Sequence, residues 1–100
     1  MSKGYIVYTE QIHDPAKMDE YGALAMPSLM GGGGTVIALD DAVDCREGTW
    51  PGSRTVILEF ESVEAARSWY ESSDYQAAIP LRQAGAETNV AIIAGFDFPG

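Results

Sequence analysis

The segment Thr55-Val56-Ile57-Leu58-Glu59-Phe60 carries apolar side chains on both faces, Val56, Leu58 and Phe60 on one and Ile57 between Thr55 and Glu59 on the other. β-Branched and aromatic residues in this density fit a pleated, packed surface. A sheet with helices on one side alone should alternate apolar and polar residues, so a strand like this needs a cover on each side. The next twenty residues supply the first cover. Ser62 is placed to cap a helix by accepting from an amide of its first turn, and Glu64 sits where negative charge suits the helix N-terminus. Val63, Ala66, Trp69 and Tyr70 then fall at helical spacing as one apolar stripe. Ser72-Ser73-Asp74 breaks that stripe and caps a further turn. Tyr75, Ala78, Ile79 and Arg82 continue it, with Pro80 expected to kink or stop the helix.

The rest of the chain reads as a near repeat of this unit. Tyr5 to Thr9 is a strand, apolar on both faces, that leads through His13 to Asp14-Pro15. Asp at the cap and Pro at the first helical position start a helix, because the amide proline lacks is unneeded there. Met18, Tyr21, Ala25 and Leu29 form its buried stripe, and Pro27 is expected to kink it. Gly31 to Gly34 end the helix and return the chain. A phosphate-cradling glycine loop would need a strand before it, a helix after it and a nearby lysine; here the order is helix then strand, so a connector is the better reading. Thr35 to Leu39 is the second strand and Asp40 to Gly52 a long connection. Gln83 to Thr88 is expected as a loop, Asn89 to Phe96 as the last strand, and 97–100 as an irregular tail.

The resulting order, β-α-β-β-α-β, is the ferredoxin-like split pattern. It predicts an α+β fold: a four-stranded antiparallel sheet, its first and third strands central, with the helices on one face. The two-sided strands leave the other face needing a cover. A second copy of the same sheet around a two-fold axis supplies it, so a homodimer through the sheet faces is expected.

Composition excludes several classes. The chain has 100 residues, enough for a single domain over 1–100. Six basic residues against fifteen acidic give a net charge of −9, which repels a phosphate backbone and argues against nucleic-acid binding. Cys45, the one cysteine, rules out an internal disulfide framework and offers no zinc pattern. No apolar run approaches a membrane span and the N-terminus does not read as a signal peptide, so a cytoplasmic protein without membrane contact is expected.

These motifs together resemble a known family. They are the Gly4-Tyr5 strand start, Asp14-Pro15 opening a helix that carries Tyr21, the Gly33-Gly34 turn, and Glu47-Gly48 with Trp50. Arg54 to Phe60, Ala65-Ala66, Trp69-Tyr70, Ser73, Tyr75-Gln76 and Arg82 complete the pattern. The chain is similar over nearly its whole length to the domain-of-unknown-function 1330 family. The resemblance implies a dimeric α+β barrel, in which two ferredoxin-like sheets pack face to face. Relatives in that superfamily include cofactor-free monooxygenases, small-ring isomerases and haem enzymes, while the family itself carries no settled activity. One departure stands out: a basic residue with glycines often comes after the second strand there, whereas this chain has Leu39-Asp40-Asp41, which speaks against an anion site at that point.

Several residues are candidates for chemistry. His13 is the single histidine, the residue type suited to proton transfer near neutral pH, and lies at a strand end just before a helix cap; it is the catalytic candidate for proton transfer. The competing reading is a bystander beside Asp14, which already caps the helix. Glu59 lies among apolar residues on a central strand, so its carboxylate needs a partner. Arg82 is expected to be that partner, since five positions put Arg54 on the opposite strand face; a structural ion pair is the favoured reading of these residues, ahead of a functional one. Tyr8, Tyr21 and Trp69, with Tyr5 and Tyr70, either line a ligand pocket with Glu59 and Arg82 or form core. Cys45 beside Arg46 has no resolving cysteine, and Asp40, Asp41 and Asp44 lack calcium-loop spacing, so neither a metal nor a cofactor is expected. The function expected is that of a small dimeric, cofactor-free enzyme, monooxygenase- or isomerase-like, acting on a small organic substrate. The alternative is a non-catalytic dimeric module that binds a small ligand or is purely structural. A closed polar pocket around His13, Tyr21 and Arg82 would favour the enzyme, and divergence of those side chains would count against it.

Overall fold

The computed structural model describes residues 2–97, so of the tail expected over 97–100 only Asp97 is described. The elements run β1 (Gly4–Ile12), α1 (Pro15–Gly31), β2 (Thr35–Asp40), β3 (Arg54–Phe60), α2 (Val63–Tyr70), α3 (Ser73–Gln76), α4 (Ile79–Gly85) and β4 (Ala86–Ala94). The four strands form one antiparallel sheet in the order β2-β3-β1-β4. β1 and β3 are central, and the helices lie on one face. This is the ferredoxin-like architecture that the order of elements predicts.

Local chemistry accounts for the element starts. Asp14 caps α1 by accepting from the Lys17 amide at 3.3 Å, with Pro15 in the first turn. Ser62 caps α2 through Ala65 N at 3.0 Å, and Ser72 caps α3 through Tyr75 N at 3.3 Å. α1 runs past Pro27 and ends at Gly31, after which Gly33 takes φ +79° to turn the chain into β2. At Gly4 the backbone of Ser62 and Val63 approaches so closely that any Cβ would overlap it, which sets the entrance of α2 directly against β1.

Several boundaries differ from expectation: β1 runs on to Ile12 rather than ending at Thr9, and β4 ends at Ala94 rather than Phe96. Pro80 lies in the first turn of α4 and so starts that helix rather than stopping it, because a proline there gives up no intrahelical hydrogen bond. Residues 83–88, expected as a loop, are the end of α4 and the start of β4. The cause is long-range. β1 extends to Ile12 and pairs with Ala86, while the amides of His13 and Asp14 both donate to Gly85 O, at 2.9 and 3.1 Å.

The core lies between the helices and the sheet face that carries Ile6, Tyr8, Leu58 and Phe60. Trp69 and Tyr75 close it from the helical layer, their ring centroids 4.0 Å apart, with Phe60 5.6 Å from Trp69. Trp69 also donates through Nε1 to Ser28 Oγ at 3.2 Å, tying α2 to α1. By strand alternation the other sheet face carries Tyr5, Val7, Ile57, Ala91 and Ile93, in register across β1, β3 and β4. Trp50, from the β2–β3 connection, donates to Thr55 Oγ1 on that face at 2.8 Å. Among the described residues no helix is long and apolar enough to cross a membrane.

Candidate functional site

A cavity of about 290 Å³ opens between α1 and the helix-facing side of the sheet. Its walls are mostly apolar: Met18, Ala25 and Leu29 from α1 face Val56 and Leu58 from β3 and Leu39 from β2. The space exists because α1 presents Gly22 and Ala25 here. An added Cβ at Gly22 would touch nothing within 4 Å, whereas interiors normally leave few voids larger than a water.

Five polar side chains reach the cavity: Tyr8, Glu10, Asp19, Tyr21 and Arg54. Glu10 is the deepest-set acid. It is 3% exposed, and no hydrogen bond or ion pair to its carboxylate occurs among the described residues. Burial raises its carboxyl pKa above the ordinary 4.5, while the charges of Arg54 and Arg82 pull the other way. Arg54, its cross-strand neighbour, turns to Asp41 instead, with Nη2 3.1 Å from Oδ2. That hydrogen bond holds the Asp41 carboxyl below its usual value.

The tyrosines form a connected group. The Tyr75 hydroxyl lies 2.9 Å from that of Tyr8 and 2.8 Å from that of Tyr21, so one phenol on α3 joins one from β1 to one from α1. Burial, reinforced by the neighbouring phenols, drives the pKa values of Tyr8 and Tyr21 far upward, and burial raises Tyr75 as well. All three are neutral at physiological pH. Arg82 from α4 is 4% exposed, with its guanidinium carbon 5.8 Å from the centroid of the Tyr8 ring. That is cation–π distance. Its enclosed Nε has no hydrogen-bond partner.

The sequence-derived candidates divide accordingly. Tyr8, Tyr21 and Trp69 line the cavity. Arg82 stands behind Tyr8, outside the lining. Glu59 is on the opposite sheet face, where it accepts from Tyr5 Oη at 3.3 Å and meets Lys3 Nζ at 3.7 Å. The expected Glu59–Arg82 pair does not form, because the sheet stands between them. His13 is exposed in the turn from β1 to α1 and is not part of the cavity. No polar pocket therefore joins His13, Tyr21 and Arg82, and a histidine-based proton transfer has no geometric support. Cys45 is exposed, with Sγ 3.3 Å from Glu47 O, and Arg46 pairs with Asp44. Among the described residues no group of three His, Cys, Asp or Glu side chains is placed to hold a metal ion.

Glu10 and Tyr75 are the residues that sequence reasoning misses. A first strand ending at Thr9 leaves Glu10 in a loop; its parity with Ile6 and Tyr8 is the available signal, since residues two apart share a strand face. Tyr75 is visible only as one apolar stripe position.

Glu10 yields a pH prediction. Its folded-state pKa is raised, so its contribution to stability is complete below the unfolded carboxyl value and is lost as pH rises through the folded one. Urea unfolding of wild type and Glu10→Gln between about pH 4 and 8 should show the variant gaining relative stability as pH rises. A pH-independent difference would show that the carboxyl is unperturbed.

The sheet order and the one-sided helices define a ferredoxin-like α+β protein, and solved structures of that class superpose on it. A protein of unknown function from Rhodopseudomonas palustris is 16% identical, with 96% of this chain and 84% of that one covered at a TM-score of 0.70. SnoaB, a cofactor-independent oxygenase from Streptomyces nogalater, is 13% identical, with 98% and 97% covered at 0.69. A dimeric ferredoxin-like protein of unknown function from Thermobifida fusca is 10% identical, with 93% and 91% covered at 0.57. No curated protein matches the sequence. Residues 3–96 match the domain of unknown function DUF1330, and the chain belongs to that family.

Proposed function

We propose that this chain works as a homodimer that takes up a small, largely apolar organic molecule in the cavity between α1 and the sheet. The observation that carries the reading is the cavity itself: apolar walls with a few convergent polar groups are the usual form of a small-molecule site. A cavity of about 150 Å³ holds benzene, so 290 Å³ suits a molecule of roughly a dozen non-hydrogen atoms. Similarity in fold to a cofactor-independent oxygenase supports a cofactor-free enzyme over a purely structural role. The mutual satisfaction of the three tyrosine hydroxyls favours the second reading, a binding module in which they are scaffold. A thermal-shift screen of aromatic and alicyclic compounds of this size tests the site, since a ligand at 100 times its Kd stabilises by about 2.7 kcal/mol. Gly22→Leu should abolish those shifts by filling the cavity. It should also leave the unliganded protein at least as stable, because replacing a helical glycine gains about 0.5–1 kcal/mol. Compounds that stabilise both proteins equally would place the ligand elsewhere.

The dimer in this proposal forms through the open sheet face. Tyr5, Val7, Ile57 and Ile93 make that face apolar, Ile93 being 49% exposed, and a stable interface of the standard kind buries about 800 Å² per partner. The similarity to a dimeric ferredoxin-like protein supports it. Light scattering should give twice the 10.7 kDa chain mass for wild type and the single-chain mass for Ile93→Arg. A single-chain mass for wild type at micromolar concentration would overturn the dimer. The cytoplasm is the location that goes with this reading, and an exposed free thiol at Cys45 supports it, because oxidising compartments favour paired cysteines.

A further inference from the structure

We propose that the substrate of this cavity is a weak acid carrying one hydroxyl, an enol or phenol on a mainly hydrocarbon frame, and that Glu10 accepts its proton. The inference rests on the cavity being the ligand site and goes beyond that reading to name the substrate class and the acting residue.

The groups around Glu10 leave it one role. Glu10 lines the cavity and is 3% exposed as a residue, and no hydrogen bond to its carboxylate occurs among the described residues. The carboxylate faces the cavity rather than a protein donor, so a ligand O–H entering there would find a free acceptor. None of the protein's own nearby donors bonds the Glu10 carboxylate, and most are engaged elsewhere. Arg54 on β3 is held by Asp41. Arg82 on α4 lies against the Tyr8 ring. The hydroxyls of Tyr8 and Tyr21 are tied to Tyr75. Asp19 on α1 also lines the cavity but is exposed.

Charge narrows the ligand class. Arg54 and Arg82 both act on Glu10 electrostatically, and a cationic ligand beside Glu10 would meet the same two charges. A ligand carboxylate would face the two acids of the cavity, Glu10 and Asp19. A neutral hydroxyl meets neither objection. In the step, the substrate O–H bond breaks, the proton goes to a Glu10 carboxylate oxygen, and the electron pair stays on the substrate oxygen as an enolate or phenolate. One negative charge is present before and after. It moves from a buried side chain, which burial prefers neutral, onto the substrate, still within the field of Arg54 and Arg82.

Three probes of one shape test this: 2-naphthol, 2-methylnaphthalene and 2-naphthoate, each of roughly the size the cavity holds. Calorimetry on the whole protein should show 2-naphthol binding at least about tenfold tighter than either other probe, as expected for one added hydrogen bond to a buried charged group. Absorption spectra should show the naphtholate band of bound 2-naphthol at a pH where the free compound is neutral. Glu10→Gln should retain 2-naphthol binding within a few-fold and lose that band. Equal binding of 2-naphthol and 2-methylnaphthalene, tightest binding of 2-naphthoate, or absence of the naphtholate band would each overturn the assignment while leaving the cavity as the binding site. Failure of all three probes to bind wild type would overturn the cavity reading together with it.

Discussion

Trp69→Ala is expected to lower the unfolding free energy by about 3–5 kcal/mol, the range for deleting a large buried aromatic side chain. The ring is 4% exposed and stands where α1, α2, α3 and the sheet meet. It packs against Phe60 and Tyr75 and donates to Ser28 Oγ. α1 approaches it so tightly that a Cβ at Gly32 would lie 2.6 Å from its Cδ1. Trp69 also lines the cavity, so the void left behind would merge with existing empty space rather than collapse. For a domain with a total stability of about 5–15 kcal/mol such a loss approaches unfolding. Urea denaturation followed by far-ultraviolet circular dichroism measures it. A loss below about 1 kcal/mol would mean that Trp69 does not hold the helical layer to the sheet.

Tyr75→Phe is expected to cost about 2–3 kcal/mol although it removes one oxygen atom. Two hydroxyls depend on that atom, and each buried polar group left unmade costs about 1–3 kcal/mol. Tyr8, 2% exposed, bears most of the loss; Tyr21 is partly accessible and faces the cavity, where water can replace the lost partner. The control is the triple variant Tyr8→Phe, Tyr21→Phe, Tyr75→Phe. Replacing all partners by apolar groups of the same shape leaves nothing unsatisfied, so it should recover most of the stability lost in the single variant. Additive losses across the three positions would show that each hydroxyl contributes independently, and that Tyr75 is not the hub.

These expectations depend on contacts of very different sequence range, and so does the legibility of the fold. The caps at Asp14, Ser62 and Ser72 are readable because each bonds an amide three residues away. The Val63–Tyr70 stripe is readable because helical spacing places its members on one side. Pro80 misleads because a proline looks the same at the start of a helix as at its end. Residues 83–88 mislead because what makes 86–88 a strand is β1, more than seventy residues earlier in the chain.

The candidate site is less legible than the fold, and for the same reason. Tyr8, Tyr21 and Trp69 can be picked out as large amphipathic residues in core-like positions, and all three line the cavity. His13 stands out by its titration chemistry, which says nothing about where its side chain lies; it is exposed. Glu59 and Arg82 look like a pair because each needs a partner, but the sheet separates them. Glu10 requires the true end of β1, and Tyr75 requires the meeting of β1, α1 and α3.

Local sequence is enough to establish that Val56, Leu58 and Phe60 share one strand face and Ile57 the other, that both faces are apolar, and that the elements come in ferredoxin-like order. Those are properties of residues two to four positions apart, where backbone geometry alone sets which side chains are neighbours. It takes the folded chain to establish that Glu10 stands beside Arg54 without bonding it, that Tyr75 joins Tyr8 to Tyr21, and that Gly22 leaves a space between α1 and the sheet. Each of those depends on strand register and helix docking across tens of residues, which no local pattern encodes.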